Sequence, residues 1–127
     1  LLMAQLVAQR IVTPDGTILQ SFHRHDYRQY QDENGEYYVV DGGIDYLRGS
    51  VNIEPATPYH VYTSDKHTVI RNAFMWGTYG KDGKQPLKYI QLNMLETGHI
   101  EAILKTQFHL PSWAIKIFQD ELDFRNI

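Results

Sequence analysis

The chain has 127 residues, the size of one domain, and its content of 43% hydrophobic and 13% aromatic residues is typical of a globular protein. A formal net charge of −3 argues against nucleic-acid binding through a generally basic surface. The absence of cysteine excludes disulfides and thiolate metal sites. No apolar run approaches the roughly 20 residues that span a bilayer. We therefore expect a single cytosolic domain over residues 1–127 that has no membrane partner.

The first half of the sequence predicts two β-hairpins. Residues 9–12 and 17–22 flank a turn at Pro14 and Gly16, where proline presets one turn dihedral and glycine tolerates the other. The second hairpin bends at Asn34-Gly35, the strongest short hairpin signal, since both residues accept a positive φ. One helical turn is expected beyond it, over residues 44–48.

The middle of the chain predicts a helix followed by a strand. Ser64 is suited to cap a helix over residues 65–74, because its hydroxyl can accept a hydrogen bond from an otherwise unpaired backbone N–H. Trp76-Gly77 is expected to end this helix. Residues 87–92 then have the composition of a strand.

Two helices are predicted at the C-terminal end. Thr97 is suited to cap the first, which runs through residue 107, and the second runs over residues 112–125. The chain is therefore expected to be α+β, with N-terminal antiparallel β-hairpins forming a small sheet, a middle helix and a C-terminal helical hairpin. In the last helix, the spacing of apolar residues predicts a core side formed by Ala114, Ile115, Phe118 and Leu122. The residues predicted to lie outside are Lys116, Asp120, Glu121 and Asp123.

Two histidines precede the central hairpin. His23 and His25 are two positions apart, so on a strand both would point to one face, and Asp26 adds an oxygen ligand. A metal held there could activate water for phosphoester hydrolysis. The competing interpretation is that His25 and Asp26 hold a turn together. The longer ligand spacings of known metallohydrolases are missing, so no metal or other cofactor is expected.

Residues 77–86 contain three glycines with Lys81 and Lys84, a composition that could let backbone N–H groups and ammonium groups approach a phosphate. The spacing fits neither the Walker A nor the Rossmann pattern. An exposed hairpin turn explains the same residues and is the favoured interpretation.

Arginine and tyrosine cluster at the mouth of the central hairpin. Arginine offers a donor fork for phosphate or carboxylate, and tyrosine offers a stacking surface for a base. Internal Arg–Asp pairs that fasten the Gly42-Gly43 corner explain the same composition and are favoured. The residues concerned are Arg24, Arg28, Arg48, Tyr27, Tyr30 and Tyr46.

The segment Asp-Gly-Gly-x-Asp-Tyr-Leu-Arg at residues 41–48 resembles a group of small uncharacterised bacteriophage proteins. It is the most specific part of a resemblance that covers residues 10–125 approximately. The other segments that carry it are residues 23–27, 76–78, 80–83, 85–87, 99–101 and 118–125.

This resemblance implies a phage origin and expression in the cytoplasm of an infected bacterium, and it supplies no activity. Some members of the group carry zinc-ribbon-like cysteine pairs on the two N-terminal hairpins. Here the corresponding turns hold Thr13 and Gly16, and Asn34 and Gly35, so hairpin packing must replace any structural zinc.

The sequence thus predicts a non-catalytic accessory protein that binds a host or phage macromolecule. A binder of an anionic nucleotide-like ligand, acting in counter-defence, and a metal-dependent phosphoesterase are the alternatives. Homo-oligomerisation through Trp113, Ile117 and Phe124 is as plausible as a monomer. The expected ligand-binding residues are Arg24, His25, Asp26, Asp41, Asp45, Arg48, Lys81 and Lys84.

Overall fold

Antiparallel strands form the first half of the chain and helices dominate the second, which confirms the predicted α+β class. The computed structural model describes residues 4–45, 48–49 and 56–126, with the backbone alone at 48–49. The chain divides into two compact units, the first ending at Tyr62 and the second beginning at Thr63. The single domain expected from the length stays a prediction.

The described strands of the first unit form two small antiparallel sheets. One has the order β2-β1-β6, with β7 also pairing with β1, and the other has the order β3-β4-β5. Val40 and Tyr38 of β4 pack with Ile11 of β1 in the hydrophobic core of this unit. The strands are β1 (Leu6–Val12), β2 (Ile18–Ser21), β3 (Arg28–Gln31), β4 (Tyr37–Asp41), β5 (Arg48–Gly49), β6 (Thr57–Pro58) and β7 (Val61–Tyr62).

Both predicted hairpins are present, β1–β2 and β3–β4. Gly16 and Gly35 hold positive φ values of 87° and 84° at the two turns. In the second turn the Asp32 carboxylate accepts the backbone N–H groups of Asn34 and Glu36, at 2.9 and 3.0 Å. This carboxylate organises the bend, and Gly35 rather than Asn34 supplies the positive φ.

The predicted helical turn over residues 44–48 does not extend to residue 48, which belongs to β5. Gly42 and Gly43 have φ values of 99° and 57°, which reverse the chain into a further hairpin. β5 then pairs back on β4, with Asp41 opposite Arg48. Residues 46–47, including the Tyr46 of the predicted arginine–tyrosine cluster, lie outside the described residues.

The second unit contains three helices and one β-hairpin among its described residues. The predicted strand and the two C-terminal helices are present within two residues of their expected bounds. The elements are α1 (His67–Ala73), β8 (Met75–Thr78), β9 (Lys88–Gln91), a 3-10 turn (Leu92–Met94), α2 (Thr97–Thr106) and α3 (Ser112–Phe124).

Two details of the middle segment differ from expectation. Helix α1 begins at His67 and Lys66 occupies its N-cap without a side-chain hydrogen bond, so Ser64 is not its cap. Trp76-Gly77 lies inside β8 rather than at a helix end. Pairing with β9, where Trp76 lies opposite Ile90, satisfies backbone groups that a longer helix would otherwise have bonded.

The buried face of α3 is rotated from the predicted one. Ala114, Ile117, Phe118 and Glu121 are buried, whereas Ile115 and Leu122 are only half-buried. Phe118 is the centre of this packing. Its ring lies edge-on to the rings of Phe74, at 5.5 Å, and Trp76, at 5.4 Å. Trp113 also packs on Phe74, at 6.5 Å.

The Glu121 carboxylate, predicted to be outside, has no solvent exposure. Arg71 of α1 donates two hydrogen bonds to it, at 2.9 and 2.7 Å. The Arg125 Nε donates another at 2.7 Å, and the His67 Nε2 lies 2.8 Å away. Burial raises the pKa of Glu121, but the hydrogen bonds from Arg71, Arg125 and His67 outweigh it and lower the pKa to about 2. The carboxylate is therefore charged and paired inside the unit.

We expect Glu121→Gln to destabilise the second unit by about 3–5 kcal/mol, because it leaves two arginines without a counter-charge. Asp120→Asn, which breaks only an exposed pair with Lys116, should cost less than about 0.5 kcal/mol. Urea denaturation followed by the fluorescence of Trp76 and Trp113, both in this unit, measures the difference.

The same comparison has a pH dependence. The folded pKa of Glu121 lies below the ordinary value of 4.5, so its contribution to stability is present above pH 4.5 and is lost as the pH falls toward 2. Between pH 4.5 and 2, the free energy of unfolding of the wild type should fall by roughly 3 kcal/mol more than that of Glu121→Gln. Parallel losses in the two proteins would contradict the assignment.

Candidate functional site

Buried hydrogen bonds brace the corner at the mouth of the central hairpin. Ser21 Oγ donates to the Asp26 carbonyl at 2.6 Å and accepts the Gly43 N–H at 2.8 Å. The Gln9 side-chain amide donates to the carbonyls of Asp41 and Gly43, both at 2.8 Å. Because these atoms are buried, the bonds hold the two ends of the hairpin together.

Glycine is required at the centre of this corner. A Cβ at Gly43 would lie 2.6 Å from the backbone of His23, closer than real Cβ contacts allow. The segment that carries His23 therefore packs directly on the Gly42-Gly43 turn. The bend at Gly35 brings these two segments together, as the sequence predicted.

The Asp26 carboxylate is engaged inside the first unit. One oxygen accepts the Phe22 N–H at 2.7 Å, and the other accepts the Arg28 Nε at 2.8 Å. The Arg28 guanidinium also lies 4.9 Å from the centre of the Phe22 ring. This geometry matches the internal Arg–Asp pair that the sequence favoured, here formed by Arg28.

The remaining predicted ligand residues of the first unit lie around this corner. Arg24, His25 and Asp45 are exposed, and Asp41 is buried. Arg48 lies opposite Asp41 in the β4–β5 pair. Their assignment to ligand binding stays a prediction.

The histidine pair does not form part of a metal cluster within the described residues. The His25 N–H donates to Nδ1 of His23 at 3.2 Å, which is a local turn contact. Among residues 4–45 and 56–126, no three His, Asp or Glu side chains converge as a metal site requires.

The predicted glycine–lysine loop connects β8 to β9 in the second unit, so Lys81 and Lys84 lie in a hairpin turn. Several of its backbone N–H groups bond within the loop. Those of Gly83 and Gln85 donate to the carbonyls of Gly80 and Tyr79, at 3.1 and 2.8 Å. The Lys84 N–H donates to Asp82 Oδ1 at 2.9 Å. These donors are occupied, which favours the hairpin-turn interpretation over a phosphate-binding loop.

An open cleft of about 880 Å³ lies within the second unit, between the β8–β9 hairpin and the segment of the 3-10 turn and α2. Its volume is in the range of known binding sites. Lys81 lines the hairpin side and Glu96 lines the helix side, so the two walls carry opposite charges. The hairpin wall consists of Trp76, Gly77, Thr78, Tyr79, Gly80, Lys81, Gly83 and Ile90, and the helix wall of Met94, Leu95, Glu96, Gly98, His99, Ala102, Ile103, Thr106 and Gln107.

Large hydrophobic side chains are exposed at this cleft. Met94 is 71% exposed and Tyr79 is 56% exposed, and both line it. Phe108, directly after the lining residue Gln107, is 84% exposed. Exposed apolar groups of this size beside a concavity are typical of interaction surfaces.

Sequence reasoning identified only the lysine loop of this cleft. Two signals were present but were not used. Gly98, Ala102 and Thr106 repeat every four residues and so place small side chains along one face of α2. Gly77 lies between residues typical of strands, where glycine often marks a close backbone approach.

No family model, curated protein or solved structure matches this chain. The resemblance to phage proteins therefore stays a prediction. Within the described part of the chain, no helix is both long and apolar enough to cross a bilayer.

Proposed function

We propose that this is a phage-encoded accessory protein that acts without catalysis, by binding a host or phage protein in the cytoplasm of the infected bacterium. The cleft of the second unit is the proposed binding surface. The observation that carries this proposal is the exposure of Met94 and Tyr79 at an open cleft.

The state of the titratable groups supports a binding role rather than catalysis. Both oxygens of Asp26 accept internal hydrogen bonds, and Glu121 is paired with arginine on both oxygens. A general acid or base must reach a proton of its substrate, which buried, paired carboxylates such as these do not. These two carboxylates therefore stabilise the structure.

The composition of the cleft favours a protein partner over nucleic acid. Its charged lining residues are Lys81 and Glu96, whereas a nucleic-acid site concentrates lysine and arginine along a phosphate path. Methionine and tyrosine at the rim are residues that protein interfaces use for adaptable apolar contact.

Filling the cleft should abolish partner binding. A Cβ at Gly98 would meet no atom within 4 Å, so Gly98→Trp can enter the cleft without distorting α2. Glu101→Trp places the same side chain on an exposed α2 position outside the lining. In quantitative affinity purification from infected cells, we expect one protein to copurify with the wild type and Glu101→Trp, and to fall at least tenfold with Gly98→Trp. Equal recovery with all three proteins would contradict the proposal.

A nucleotide-like ligand is the second candidate, because Lys81 lines the same cleft as the exposed Tyr79. On this alternative, a nucleotide at 100 times its Kd would stabilise the protein by about 2.7 kcal/mol and raise its melting temperature by several degrees. A thermal-shift panel of mono-, di- and cyclic nucleotides measures this, with Lys81→Gln as the control. No shift across the panel would exclude the candidate.

A further inference from the structure

We infer that the cleft takes an extended segment of a partner polypeptide, which adds as a third strand along β8 beside Gly77. This inference rests on the proposed function and specifies which part of a partner the cleft holds. It depends on the direction of the β8 backbone groups, the path of the cleft, the space beside α2 and the charges of the walls.

The hydrogen-bond pattern of the β8–β9 hairpin fixes where the backbone of Gly77 points. The Leu92 N–H donates to the Phe74 carbonyl at 2.9 Å, and Trp76 lies opposite Ile90 two residues further on. In an antiparallel pair, hydrogen-bonded and non-bonded residues alternate. Phe74 and Trp76 therefore bond toward β9, while the N–H and C=O of Gly77 point away from it.

That outer edge of β8 is open in the described part of the second unit, where the hairpin forms a sheet of two strands only. An edge that presents unpaired N–H and C=O groups is a template for another strand. A two-stranded sheet is also marginal alone, so a third strand would stabilise it.

The cleft runs along this edge. It is lined by six consecutive residues, from Trp76 inside β8 through Lys81 after it, but by Ile90 alone from β9. Successive side chains of a strand point to opposite faces, so a cleft over one face would meet alternate residues. Contact with consecutive residues places the cleft beside the backbone, where the Gly77 groups point.

The opposite wall leaves room for a strand. Gly98, Ala102 and Thr106 line the cleft from one face of α2, and all three are exposed. Because these side chains are small, they leave the space between the helix wall and the strand unfilled. A Cβ at Gly98 would meet no atom within 4 Å.

The lining also defines the chemistry of the segment. Tyr79, Ile90 and Met94 offer an apolar surface for one large side chain of the partner. Lys81 on one wall and Glu96 on the other favour a segment with an acidic residue facing the lysine and little net charge. This combination is the usual form of strand addition, in which main-chain bonds give affinity and side-chain contacts give specificity.

The first test is selection of peptides from a random library of 12 residues displayed on ribosomes, with the full chain as bait. We expect the enriched peptides to share a large apolar residue with an acidic residue near it. Selection on Lys81→Glu should replace that acidic residue with a basic one. Enrichment of no peptide would overturn the inference, and so would the same charge preference with both baits.

The second test separates strand addition from side-chain docking. Gly77→Pro removes the outward N–H but no bond to β9, and proline is tolerated at such edge positions. Gly77→Ala adds a Cβ in the same place, near the Tyr89 ring, and keeps the N–H. Measured by fluorescence anisotropy, the enriched peptide should bind Gly77→Pro at least tenfold more weakly than Gly77→Ala. Equal affinities would overturn strand addition.

Gly98→Trp and Glu101→Trp keep the inference testable if Gly77→Pro does not fold. The tryptophan at position 98, which lines the cleft, should block the peptide, whereas the one at position 101, outside the lining, should not. Failure of the peptide to compete with the partner protein captured from cells would overturn the inference and leave the proposed function standing. The absence of any captured partner would contradict the proposed function itself.

Discussion

The second unit depends on one buried carboxylate. The Glu121 carboxylate accepts hydrogen bonds from both Arg71 of α1 and Arg125 at the end of α3. Arg125 then donates to the Leu92 carbonyl and to Thr97 Oγ1, both at 3.1 Å. A charge in the last turn of α3 thus helps to fix the point where α2 begins. Since α2 forms one wall of the cleft, the cleft's geometry depends on an ion pair that does not line it.

The two units use their polar residues differently. In the first unit, serine, glutamine and aspartate side chains bond to backbone groups at the Gly42-Gly43 corner. Such buried polar bonds give the chain one defined path, because each bond left unmade would cost free energy. In the second unit the polar centre is equally internal, and the cleft of this unit combines an open strand edge with exposed apolar side chains. This cleft is the binding surface that we propose.

The sequence predicted the parts of the fold that short-range chemistry determines. Gly16 and Gly35 marked both hairpins, and helical periodicity located α2 and α3, because each signal lies within a few residues. Glu121 was misplaced, since its burial depends on Arg71, fifty positions away, and a single helix cannot reveal that partner. Gly77 was taken for a helix end, although its neighbours Trp76 and Thr78 are residues typical of strands. Most of the cleft was missed because its two walls come from separate segments of the sequence. Only the lysine loop was recognised from its composition.

Amide hydrogen exchange at β8, measured by NMR with and without a selected peptide, tests the central claim most directly. In the free protein we expect Trp76, bonded to β9, to exchange slowly and Gly77 to exchange fast. Addition of the peptide should slow Gly77 at least tenfold and change Trp76 little. Slow exchange of Gly77 in the free protein, or no slowing of Gly77 in the complex, would contradict the account.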